Sequence, residues 1–70
     1  MNAETFTTSA LALKARADAA TTNEERAALI TAIHQLVRSV PISFDLATCA
    51  ALFGLRDRLT ADVAFSAEMG

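Results

Sequence analysis

Glycine occurs twice and proline once in this seventy-residue chain, and tryptophan and tyrosine do not occur at all. So few turn-forming residues cannot serve the many tight turns of a β-sandwich or barrel. Nor do β-branched residues alternate with polar ones over the length of a strand, which argues against a sheet of any kind. Cys49 is the only cysteine and His34 the only histidine. An intramolecular disulfide is therefore impossible, and no pair of nitrogen or sulfur ligands has metal-binding spacing. No glycine-rich loop is present to hold a phosphate. These shortages predict a protein that is not an enzyme, with no cofactor, no metal and no small-molecule substrate.

Long apolar runs are missing too. No stretch of about 18 apolar residues exists to cross a bilayer. The start, Met1-Asn2-Ala3-Glu4-Thr5, lacks the basic region and apolar stretch of a signal peptide. The expected location is the cytoplasm, where a single reduced thiol is ordinary, and no membrane partner is expected. Charge of one sign is also lacking: the net charge is −2, and charged residues make up 20% of the chain. That balance gives neither the basic footprint of a nucleic-acid binder nor the acidic surface of a DNA mimic.

What the chain does have is alanine, its commonest residue, and a hydrophobic fraction of 53%. Alanine is the strongest helix former, so composition favours helices. The length allows one domain, residues 1–70, with a thin core. Three helical segments follow from the breaks and caps. The first covers about residues 7–20, with Thr5 to Ser9 as capping material and Phe6, Ala10, Leu13, Ala17 and Ala20 on one side. Leu11 falls on a different face. The second covers about 23–40. Thr22-Asn23-Glu24-Glu25 fits a capping box, in which Thr22 accepts from the Glu25 amide and the Glu25 carboxylate reaches back. Leu29, Ile30, Ile33, Leu36, Val37 and Val40 form its core stripe, and Pro41 ends it. His34 lies just beyond that stripe and is expected to be a half-exposed boundary residue.

The third segment covers about 43–67 and begins at Ser43, placed to cap the amides of Asp45 and Leu46. Phe44, Leu52, Leu55, Leu59 and Val63 make its inner stripe. On the far side lies a second apolar face: Leu46, Ala50, Phe53, Gly54, Ala61, Ala64 and Phe65, interrupted mainly by Asp57. A helix apolar on two sides is usually covered on two sides, and a chain this short can hardly cover both. Small residues at four-residue spacing, Ala47 with Ala51 and Ala50 with Gly54, would let another backbone come close. Cys49 sits in an apolar run and reads as a small buried hydrophobe. Short links predict an up-down-up three-helix bundle, completed by homodimerisation. An uninterrupted third helix with Gly54 at a close packing contact is preferred over a break there that would create a fourth short helix.

That break carries the alternative function. Ala50 and Gly54 have the spacing of a helix-turn-helix, with Cys49, Phe53, Leu55 and Val63 as apolar positions. Against it, Thr60 stands where a large apolar residue belongs, and Asp57 and Asp62 would repel phosphates. Nucleic acid is therefore the less favoured partner. Ser43-Phe44-Asp45-Leu46 holds the ingredients of a phosphopantetheine attachment sequence in the wrong order. Arg58 and Asp62, four apart, are expected to form an exposed pair; Arg56 and Arg58 are the first candidates for charged contacts with a partner. The leading expectation is an adaptor, regulator or inhibitor of the kind that phages and other mobile elements often carry. It would bind another protein, or a second copy of itself, through Leu46, Ala50, Phe53, Gly54, Ala61 and Phe65.

Overall fold

A computed structural model describes residues 2–41 and 44–69. Among them are three helices and no strand: α1 (Ala3–Ala19), α2 (Asn23–Arg38) and α3 (Leu46–Met69). Each begins where a short polar side chain takes over an orphan amide of the first turn. Asn2 Oδ1 accepts from the Thr5 amide at 2.8 Å. Thr22 Oγ1 accepts from the Glu25 amide at 3.1 Å. Asp45 Oδ1 accepts from the Thr48 amide at 3.0 Å, and its Oδ2 accepts from the Thr48 hydroxyl at 2.6 Å. Glu24 and Glu25 lie in the first turn of α2, where they complement the helix dipole.

The core is the meeting of the three expected stripes. Phe6, Leu13 and Ala17 of α1 are buried with Leu29 and Ile33 of α2 and with Cys49, Leu52 and Leu59 of α3. Ala10, Ala20, Ile30, Leu36, Val37, Val40 and Leu55 pack around them, partly buried. No polar or charged side chain is buried among the described residues, so the core depends on apolar burial alone. α3 packs most extensively against α2 and least against α1. The alanines of α1 bring little side chain to that second contact.

Several boundaries differ from expectation. α1 begins at Ala3, four residues before 7, because Asn2 supplies the cap and Thr5, Thr7 and Thr8 lie inside the helix. α2 stops at Arg38, short of 40. The Ser39 amide and hydroxyl both donate to the Leu36 carbonyl, at 3.1 and 2.6 Å, and helical geometry at Val40 is disfavoured by Pro41. The returning carboxylate of Glu25 receives the Thr21 amide at 3.3 Å, one residue before the cap. Ser43, the expected cap of α3, lies outside the described residues; Asp45 performs that task, and the helix starts at Leu46. Phe44, assigned to the inner stripe, precedes the helix and is 38% exposed. Its ring stands edge-on to Phe6 at 5.8 Å, a favourable aromatic geometry. Val63 is only half-buried.

α3 runs unbroken through Gly54. The fourth helix does not form, nor does the turn that the helix-turn-helix alternative needs. Gly54 is not at a close contact within the chain either. A Cβ built there meets nothing within 4 Å. No helix of the described residues is long and apolar enough to cross a membrane.

Candidate functional site

α3 is 24 residues long, and its inner side is occupied by Cys49, Leu52 and Leu59. At about 100° per residue the opposite side carries Leu46, Ala50, Gly54, Ala61, Ala64 and Phe65, all exposed. The two largest are the most conspicuous, Leu46 at 65% and Phe65 at 64% exposure. A helix stripe must hide its apolar side chains against another element to gain from them. Among the described residues no element lies over this one. Phe53 departs from the other candidates: it is half-buried against the core, with the Arg56 guanidinium 5.0 Å above its ring. It borders the face instead of belonging to it.

Beside the stripe, α1 and α3 part to leave an open groove of about 440 Å³. Small residues make it. Ala10 on α1 and Ala47, Ala51 and Gly54 on α3 leave the space, while Leu52 and Leu55 form its floor. Leu11, the α1 residue off the core stripe, stands on its lip at 62% exposure. Leu11 was absent from the expected site. A signal existed: it is a large aliphatic residue on the wrong side of a helix otherwise lined with alanine.

Lys14 and Arg58 border the groove, and both reach Asp18. Lys14 Nζ lies 3.4 Å from Asp18 Oδ2, and Arg58 donates to Asp18 Oδ1 at 3.0 Å. The Arg58 hydrogen bond, reinforced by the charge of Lys14, holds the Asp18 carboxyl below the usual carboxylate range. Arg58 was expected to pair with Asp62 on its own helix. It turns instead across to the end of α1, where one carboxylate faces two cations. Arg56 forms a pair with Asp57 at 3.0 Å, on the other flank of the stripe. The hydroxyl and amide of Thr48 hold the Asp45 carboxyl below its ordinary range as well.

The remaining candidates are separated. Cys49 is 1% exposed in the core. His34 is exposed on α2, not half-exposed as expected, so the thiol is not presented beside the imidazole at any surface. Among the described residues no group of three His, Cys, Asp or Glu side chains is gathered to hold a metal ion. No protein-family model matches this chain, no curated protein is similar to it, and no solved structure matches it.

Proposed function

We propose that this protein is a non-enzymatic interaction module that associates through the outer face of α3 and, in doing so, acts as a small adaptor, regulator or inhibitor. The observation that carries this reading is the exposure of Leu46 and Phe65 along the outer face of α3, with Leu11 exposed on the lip of the groove beside it. Scattered apolar residues are normal on a surface. A contiguous stripe with a groove alongside is the kind of surface that marks a docking site. Burial there yields roughly 25 cal/mol for each Å² of apolar surface removed from water.

The proposed architecture is an up-down-up bundle completed by a partner. Two contacts support the parallel course of the outer helices: Phe6 meets Phe44 before α3 begins, and Asp18 meets Arg58 some way along it. α1 and α3 thus advance in step, with α2 returning between them. A cytoplasmic setting belongs to the same proposal, since a thiol packed as a hydrophobe needs no oxidising compartment.

Light scattering over a concentration series tests the reading. The expected result is a mass that rises with concentration, and that falls to the single-chain value in Leu46→Glu while the helical circular dichroism is unchanged. A single-chain mass up to hundreds of micromolar would overturn it, as would association indifferent to Leu46→Glu.

A further inference from the structure

We infer that the groove between α1 and α3 is a binding site for one fatty-acid molecule, its acyl chain lying on Leu52 and Leu55 and its carboxylate held between Lys14 and Arg58. The inference goes beyond the docking reading, since it concerns the groove and not the outer stripe of α3. Each can fail without the other.

The placement of polar groups along the groove carries it. Phe6 meets Phe44 and Asp18 meets Arg58, so residue numbers rise together along the two walls. Thr7 and Thr48 therefore stand at one end of the groove, and Lys14 and Arg58 at the other. Between these ends the lining is apolar: Ala10, Ala47, Ala51 and Gly54 stand over Leu52 and Leu55. The Thr48 hydroxyl is already donated to the Asp45 carboxylate. No carboxylate lines the groove to answer its two cations. Asp18, just outside, is shared by both of them, so the three groups together carry one positive charge in excess. Arg58 uses one nitrogen on Asp18, and a guanidinium has further N–H donors in a fork that suits a second carboxylate. An occupant that matches this lining is apolar along its length and anionic at one end.

Size selects an acyl chain over an acidic partner helix. A helix is about 10 Å across, and the stretch from Ala47 to Arg58 is about 17 Å long at 1.5 Å per residue. A helix of that length fills on the order of 1,300 Å³, about three times the space in a groove of about 440 Å³. It could rest on the lips but not enter. An acyl chain enters. An apolar cavity of about 150 Å³ holds the six carbons of benzene, and on that scale this groove takes roughly a dozen carbons or more. Its volume is also that of a ligand site, about 300–1,000 Å³, and such sites form between the helices of bundles, mostly apolar with a few polar groups that fix orientation. A hydrocarbon chain leaves no amide or hydroxyl unpaired against the apolar walls.

Titration with sodium dodecanoate below its micelle concentration, followed by calorimetry and amide NMR spectra, tests the site. The expected result is saturable binding of one molecule per chain, with shifts centred on Ala10, Ala47, Ala51 and Gly54. Octanoate, four methylenes shorter, should bind at least tenfold more weakly, since a fully buried methylene contributes roughly fourfold and one in an open groove about twofold. Dodecanol and dodecyltrimethylammonium should each bind about threefold more weakly or worse, and Arg58→Gln should shrink the advantage of dodecanoate over dodecanol. Gly54→Leu and Ala51→Leu fill the groove from its wall. A Cβ at Gly54 meets nothing in the chain and Ala51 is exposed, so both variants should keep their helical circular dichroism and lose at least tenfold in affinity. Affinity indifferent to the headgroup charge would overturn the inference. So would affinity indifferent to both filling variants, shifts centred on α2, or no binding of dodecanoate at all. None of these outcomes bears on the mass of the ligand-free chain or its response to Leu46→Glu, by which the docking reading is judged.

Discussion

At the scale of single residues, the difference between buried and exposed apolar side chains decides what each substitution does. Leu59 and Ile33 are fully enclosed. Truncating either to alanine removes packed methyl groups and leaves a cavity, which typically costs about 2–5 kcal/mol. A domain of this size has total stability of only about 4–10 kcal/mol, so Leu59→Ala should lower the urea midpoint severely. Leu46→Ala should leave it nearly unchanged in dilute solution. Gly54 provides a sharper case, because its two effects have opposite sign. Glycine within a helix is about 1 kcal/mol less favourable than alanine, and the new Cβ of Gly54→Ala meets nothing in the chain. The expected outcome is a single chain about 1 kcal/mol more stable to urea, together with weaker association. Equal or tighter association would mean that no helix approaches there.

Acid should act through two carboxylates. Asp45 is held below its ordinary range by Thr48, and Asp18 by Arg58 and Lys14. Both have folded values depressed relative to the unfolded chain, so the stability they contribute is present above the unfolded carboxylate value near 4 and is lost as pH falls through the folded values. Thermal unfolding followed from pH 6 down to pH 2 should show the midpoint falling below about pH 4, with a shallower fall in Asp45→Asn. An unchanged slope in that variant would remove Asp45 from the account.

At the scale of elements, α2 was the most legible in the sequence because its ends are written in local chemistry. The Thr22–Glu25 box and Pro41 act within a few residues, and the stripe from Leu29 to Val40 needs only the helix period. Thr22→Ala should therefore cost about 1 kcal/mol, read as a drop in unfolding free energy with the fold unchanged. The start of α1 was misjudged because Asn2 and the threonines after it are all competent caps. α3 was harder still. Ser43 and Asp45 are both cap residues, and nothing local ranks them. Gly54 carries a propensity cost that packing of Cys49, Leu52 and Leu59 on one continuous stripe overrides. The two faces of α3 were readable from periodicity, but the groove was not. It arises where Ala10 of α1 comes beside Ala47, Ala51 and Gly54 of α3, and the periodicity of one helix does not say what lies beside it. For the same reason the Arg58–Asp18 pair, spanning forty positions, was mistaken for a local pair with Asp62.

At the scale of the whole molecule, three thin stripes close one core and leave one face over. Beside that face Lys14 and Arg58 outnumber the one carboxylate they share, Asp18, so two such faces brought together would repel. Salt screens such repulsion and strengthens apolar burial, so the dissociation constant should fall as sodium chloride is raised from low to moderate concentration. A marked weakening with salt would point to a polar contact elsewhere.

The most direct test of the central claim is dilution followed residue by residue in amide NMR spectra. The expected result is that resonances of Leu46, Ala50, Gly54, Ala61, Phe65 and Leu11 move together with concentration, while those of Glu24, Thr31 and Gln35 on the far side of α2 stay fixed. Spectra unchanged by dilution, or movement centred on α2, would contradict the assignment of the outer face of α3 as the surface through which this protein associates.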